Sequence, residues 1–468
     1  MTRSRAWWSL GVALAAVAVA MRVHNAFAYL LHYGFDALFN WKYVELLTEF
    51  FVLPDPEYGW STARPPLFFH LAGGLARIFG PAARDAVPVI RLASSAVGLG
   101  AVALCVAWVR AQGGDAKRCV LAGALVAFLP AHVYLSAMLN EEILAASLTT
   151  LALFLYLRAG AAAGGPGGAE GAPRLRRALA RDVAVGVAAG LAWLTKLTGV
   201  LTALSLAAAR VLAGARERRA RPALAGACAI GLAALATGGW FYVRSYVLYG
   251  YFYPSNLAAH RIMWSMPPGE RTLLDYVYVP LATFANPRLD DPALLHSVWG
   301  GTYATLWFDG QRHFTPSDDA VVDRVGALVA CLAVLPSLAF FAGLARGVRR
   351  ALADARAPDT PMLLLVAATL AGYAAYTWAT PWFATVKGSY LLGLALPYAH
   401  YTSEVLADWT DAARRPRWLR ILLFVWLAAL LAAIVAAFTF GTPLWEMRGG
   451  DPLPGLPWEG APPPDHVW

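Results

Sequence analysis

Residues 3–36 read RSRAWWSLGVALAAVAVAMRVHNAFAYLLHYGFD, and the order of charge along them decides the fold. Arg3 and Arg5 come first, a long apolar run follows, and no carboxylate appears before Asp36. A helix needs about 20 apolar residues to cross a bilayer core, and basic residues collect at its cytoplasmic end. The segment therefore predicts a first span near residues 7–23 that runs outward. Ala18-Val19-Ala20 could also pass for a signal-peptidase site, but an uncleaved span is preferred because later spans need a partner helix.

The rest of the chain has the same character. Of 468 residues, 59% are hydrophobic and only 14% charged, against about 25% charged in a soluble domain. Mean hydropathy is +0.52, and no stretch is left over for a soluble catalytic domain. The net charge of +9 does not indicate nucleic acid, because the basic residues cluster at the ends of apolar runs. Cys105, Cys119, Cys228 and Cys331 lie in or beside those runs without metal-ligand spacing, so neither a disulfide nor a zinc site is expected.

With basic ends taken as cytoplasmic, a first exterior loop covers residues 24–88. Its apolar stretch Leu67–Gly80 is too short to cross and reads as a re-entrant or interfacial helix. Spans near 89–109, 120–138 and 143–157 follow, then a low-complexity linker at 159–172, a short pair turning around Lys196, and a seventh span at 222–243. A second exterior loop covers 244–323. The expectation is an all-α polytopic membrane protein with about eleven transmembrane helices over residues 1–440, short helices in both loops, and a polar exterior tail at 441–468.

Two stretches after the first span carry polar chemistry: Tyr33-Gly34-Phe35-Asp36-Ala37-Leu38-Phe39-Asn40-Trp41-Lys42-Tyr43, and Gly59-Trp60-Ser61-Thr62-Ala63-Arg64-Pro65-Pro66-Leu67-Phe68. Further landmarks are Asn140-Glu141-Glu142, Leu194-Thr195-Lys196-Leu197-Thr198-Gly199, Trp240 through Arg244 to Gly250, Pro254-Ser255-Asn256 and Lys387-Gly388-Ser389-Tyr390-Leu391-Leu392. In this order they resemble the GT-C superfamily, near the protein mannosyltransferases and the aminoarabinose transferase (ArnT-like) branch, over roughly the first 400 residues. The resemblance implies an inverting glycosyltransferase with a polyprenyl-phosphate-linked donor. Asn40, Ser245 and Ser389 stand where many relatives carry histidine, asparagine and arginine, which bears on donor specificity.

The residues support that assignment independently. In a helix over residues 36–50, Asp36, Asn40, Tyr43 and Leu47 share one face while Lys42, Glu45 and Glu49 lie nearly opposite. Single displacement needs one base for the acceptor hydroxyl, and cations for a departing phosphate that is already a stable anion. Asp36 is the candidate base, Arg64, Lys196, Arg244 and Lys387 are the candidate phosphate-binding cations, and Asn40, Tyr43 and Tyr390 support them. Glu141 and Glu142 are candidates for the acceptor side or a second acidic site, with a divalent cation left open and no metal ligands assigned.

Plainer readings exist for each. Asp36 would cap a helix, Glu141 and Glu142 would offset a helix dipole, and Arg64 would pair with Glu57. Lys196, Arg244 and Lys387 would reach lipid headgroups. Tyr246, Tyr249, Tyr251, Phe252 and Tyr253 would form an interfacial belt rather than stack on a sugar.

No Walker loop or dinucleotide glycine fingerprint is present. The expected partners are therefore a lipid-linked sugar as co-substrate, a glycan, lipid or protein acceptor, and membrane lipids. The expected location is the inner membrane with the catalytic face periplasmic. The alternative is a non-catalytic lipid-glycan translocase or transporter, which would carry ionisable groups at mid-bilayer depth.

Overall fold

The computed structural model describes residues 3–31, 34–163, 172–216, 218–253, 266–311, 313, 320–354 and 357–440. The 441–468 tail, Pro254-Ser255-Asn256 and most of the 159–172 linker lie outside that set.

The first span, α1 (Arg3–Ala28), runs five residues past its expected end, and its last carbonyls lack helical partners. Arg91 supplies them. This fully buried side chain donates to the carbonyls of Ala26, Tyr29 and Leu30 at 3.3, 2.7 and 2.9 Å. Arg22, also buried, donates to the Ala127 carbonyl at 2.8 Å and meets His132 Nδ1 at 2.8 Å. Both arginines lie inside spans, where a rule that assigns basic residues to helix ends does not expect them.

The first exterior loop holds α2 (Ala37–Glu49) and α3 (Leu67–Phe79), packed together through a Tyr43–Phe69 stack at 4.4 Å. It closes at α4 (Ala83–Ala111), earlier than the expected residue 88. Pro88 does not end the loop but lies inside α4 as its sixth residue, where it costs the helix one amide hydrogen bond. Next come α5 (Ala116–Ala127), capped by the Asp115 side chain, and α6 (Pro130–Ser136), bent 57° from it.

Helix α7 (Glu142–Ala163) leads to α8 (Ala172–Thr195) and α9 (Gly199–Arg216), which turn at Lys196 as expected. Then α10 (Ala220–Ala234) passes through a π-helical turn into α11 (Trp240–Tyr249). A Cβ at Gly238 in that turn would lie 2.1 Å from the Gly190 carbonyl oxygen, so α8 and this span approach at backbone distance.

The second loop carries α12 (Ala282–Ala285), α13 (Pro292–His296) and α14 (Val298–Trp307). The chain ends its described part with α15 (Ala320–Leu332), α16 (Val334–Ala353), α17 (Asp359–Ala379), a 3-10 segment Gly388–Leu394, α18 (Ala395–Trp409) and α19 (Arg417–Val435).

Among the described residues, eight helices are long and apolar enough to cross a membrane, or nine if the bent α5–α6 pair is one span. The difference from about eleven falls on two elements. Side chains of α7 are described only as far as Arg158, and α18 alone is 15 residues long.

The arginine-rich turns converge at one end. Arg350 pairs with Asp359 at 2.9 Å and Glu404 at 2.8 Å, and Arg346 pairs with Asp408 at 2.6 Å. Lys117 donates to the Ala407 carbonyl, and Arg216 to that of Ala351. The four cysteines are unpaired.

Candidate active site

The turn between α1 and α2 sets the first carboxylate. Gly34 adopts φ 126°, and Asp36 adopts φ 56° with ψ 22°, the left-handed region that aspartate tolerates better than most residues. Although Asp36 sits at the N-cap position of α2, its side chain makes no capping bond. It pairs instead with Arg64.

Arg64 also donates to both oxygens of Glu141, at 3.1 and 3.2 Å. One guanidinium thus bridges two carboxylates from distant parts of the chain, and the Arg64–Glu57 pairing does not form. Asn40 holds this arrangement from beneath. Fully buried, it donates to the Leu139 carbonyl at 2.7 Å and accepts from Ser61 Oγ at 2.8 Å. That locks α2, the loop bearing Arg64 and the turn bearing Glu141 together.

The other half of the site begins one residue on. Glu142 pairs with Lys196 and accepts from Ser389 Oγ at 3.2 Å. Lys196 lies over the Tyr390 ring at 4.3 Å. Below them a small cleft opens between α7, α9, α17 and the 3-10 segment, lined by Thr149, Thr198, Thr202 and Thr369 as well as the charged pair.

Lys387 stands between the two halves. Its ammonium lies 4.1 Å over the Phe35 ring and makes no ion pair with a described residue. His313 meets the same ring edge-on at 4.8 Å, and its backbone N–H donates to Asp309 at 2.8 Å.

Charge governs this cluster. Burial works to raise the Asp36 pKa, but Arg64 and Lys387 together outweigh it, so Asp36 is held below the ordinary carboxylate value. Burial lowers the Lys387 pKa, with Asp36 opposing that shift. Three carboxylates, Asp36, Glu141 and Glu142, face three cations, Arg64, Lys196 and Lys387. Arg64 and Lys196 are held by these carboxylates, whereas Lys387 makes no ion pair with a described acid. Among the described residues, no group of three His, Cys, Asp or Glu side chains is arranged to hold a metal.

The structure therefore brings together Asp36, Arg64, Glu141, Glu142, Lys196, Lys387 and Tyr390. Arg244 lies over the Tyr249 ring at 6.0 Å and near the Tyr43 hydroxyl of α2. Tyr43 is buried against Phe69 between α2 and α3. Phe35, Ser61 and Ser389 fall within the stretches singled out in the sequence, but nothing in their spacing marks them. Asp309 and His313 come from a loop without any recognisable pattern.

A family model described as dolichyl-phosphate-mannose-protein mannosyltransferase matches residues 83–222, a stretch that includes Glu141, Glu142 and Lys196. The oligosaccharyltransferase of Archaeoglobus fulgidus, solved with zinc and sulfate, superposes with TM-score 0.55 at 17% identity, covering 92% of this chain and 53% of that one. The chain shares the fold of that oligosaccharyltransferase. The oligosaccharyltransferase AglB of that archaeon, solved with an inhibitory peptide and a dolichol-phosphate, gives TM-score 0.53 at 15% identity, covering 94% of this chain and 56% of that one. The chain thus spans about half the length of the oligosaccharyltransferase it matches. ArnT from Cupriavidus metallidurans, bound to undecaprenyl phosphate, superposes more loosely, with TM-score 0.40 at 18% identity over 86% of this chain and 79% of that one. No curated protein matches the chain by sequence.

Proposed function

We propose that the protein is an inverting glycosyltransferase that moves a sugar from a polyprenyl-phosphate donor to an acceptor on the periplasmic face of the inner membrane. The observation that carries this reading is the triad Asp36–Arg64–Lys387: a part-exposed, ionised carboxylate beside one paired cation and one cation without an acid. A protein of the same fold supplies context, since AglB is solved with an inhibitory peptide and a dolichol-phosphate.

In this reading the acceptor hydroxyl attacks the anomeric carbon from the face opposite the phosphate. The C–O bond to phosphate breaks, the hydroxyl proton passes to Asp36, and the lipid phosphate departs as an anion beside Lys387. A carboxylate held at low pKa is a weak base. Donor binding corrects this, because a phosphate that draws Arg64 away from Asp36 returns proton affinity to the carboxylate at the moment it is needed. The lipid tail lies between helices, and the threonine-lined cleft beside Glu142 receives polar groups of the substrate.

Transport is the weaker reading. The two arginines buried inside spans, Arg22 and Arg91, are committed to backbone carbonyls, and Asp36 follows the end of α1 rather than lying within a span.

The deciding experiment is transfer from a purified polyprenyl-phosphate sugar by Asp36→Asn protein in detergent. Loss of a general base costs about 100- to 10,000-fold. Asp36 makes no side-chain capping bond, so the variant should elute as the parent does. Near-normal transfer would remove Asp36 from the mechanism and shift the test to Glu141 and Glu142.

A further inference from the structure

Residues 271–285 of the second loop read RTLLDYVYVPLATFA, and their polarity is inverted relative to a water-exposed loop. Three polar side chains turn inward. Arg271 is buried and donates to the carbonyls of Leu295 and His296 at 3.2 and 2.8 Å. Asp275 is buried and accepts from the Thr272 N–H at 2.8 Å. Thr283 is buried as well.

The apolar side chains point outward: Leu273 is 79% exposed, Val277 75% and Leu281 85%, with Leu274, Tyr278 and Val279 exposed beside them. Asp275 is the only charged residue between Thr272 and Ala285. A continuous uncharged ridge of this kind marks an interaction surface.

Its fastenings identify the partner. Tyr276 Oη bonds to the Ala374 carbonyl at 3.2 Å and to Thr377 Oγ1 at 2.9 Å, on the last turns of α17. At the far end of the ridge, Cys331 of α15 meets the Phe284 carbonyl at 3.6 Å. Both helices belong to spans. The anchored end of α17 lies opposite its Asp359–Arg350 pair, the end where the arginine turns gather. Exposed Tyr376 and Trp378 stand there too, with Trp378 at 6.0 Å from the Tyr276 ring, the residue types that mark a bilayer boundary. The ridge thus continues the lipid-facing surface of α17.

We infer that residues 273–281 form a membrane-dipping ridge that rests in the outer boundary of the bilayer, with Leu273, Leu274, Val277 and Leu281 inserted among lipid acyl chains. Arg271, Asp275 and Tyr276 keep the segment rigid, so insertion requires no refolding. The ridge would hold the second loop at the level where a lipid-borne phosphate lies, and the inference stands whether or not the protein transfers sugar.

Nitroxide labels test it, placed singly at Leu274→Cys and Leu281→Cys in a Cys228→Ser, Cys331→Ser background, with one protein per lipid nanodisc. Val425→Cys, exposed on the α19 span, provides the lipid reference, and Glu57→Cys, exposed in the first loop, provides the water reference. Because the labelled side chains are exposed, packing is undisturbed, and parental gel-filtration behaviour verifies this. Greater relaxation by oxygen than by a water-soluble nickel chelate, as at Val425, is the expected result. A profile like that of Glu57 would overturn the inference. So would shielding from both reagents, which would mean that protein rather than lipid covers the ridge.

Discussion

Arg64 links two carboxylates whose roles the sequence left separate, so its removal distinguishes charge effects from shape. Arg64→Gln keeps hydrogen-bond donors but takes the cation away from Asp36, leaving burial to push that carboxyl upward. The acid limb of kcat/KM should then move to higher pH, and a limb that stays in place would show that another group titrates. Stability follows the same sign. Because the Asp36 pKa lies below its ordinary value in the folded protein, its charge contributes fully above the ordinary carboxylate range. That contribution is lost as pH falls through the lower folded value. Lys387→Ala should cost about 2 to 4 kcal/mol of transition-state stabilisation, read as a fall in kcat rather than in donor KM alone. Arg244→Ala, outside the ion pairs of the cluster, should leave turnover within a few-fold of the parent. Equal losses for the two variants would return Arg244 to the phosphate site.

At the scale of elements, the site depends on how α2 is docked. The helical face read from the sequence is real: Asn40, Tyr43 and Leu47 are buried, while Lys42 pairs with exposed Glu45. Asn40 takes a supporting place by tying α2 to Leu139 and Ser61. Asn40→Ala would leave the Leu139 carbonyl and the Ser61 hydroxyl without their partner, at about 1 to 3 kcal/mol for a buried polar group. A lower unfolding midpoint in detergent, with weakened transfer as Glu141 drifts from Arg64, is the expected result, and unchanged thermal stability would disprove the clamp. Similarly, Asp36 occupies an N-cap position without capping, and its carboxylate pairs with Arg64 instead.

For the whole molecule, the prediction is sidedness. The ion pairs that gather the arginine turns at one end place the carboxylate cluster beyond the opposite ends of the spans, and the positive-inside rule assigns the arginine end to the cytoplasm. Single cysteines at exposed Glu57 and Asp290 should react with an impermeant thiol reagent in intact cells, and one at exposed Arg218 only after lysis. The opposite pattern would put Asp36 on the cytoplasmic side and remove a periplasmic donor from consideration.

Apolar run length and the placement of arginines were enough, by themselves, to determine an all-α membrane protein, the turn at Lys196, the short helix at Leu67 and a polar region after the first span. These features depend on local composition and on the energy of placing charge in lipid, and both are written residue by residue. Only the tertiary structure decided that Arg64 joins Asp36 to Glu141, that Glu142 claims Lys196, that Lys387 is left without an acid, and that Arg22 and Arg91 are buried to hold carbonyls. Pairings between residues 28, 54 or 77 positions apart depend on helix packing and chain reversal, and no local pattern encodes which charge meets which.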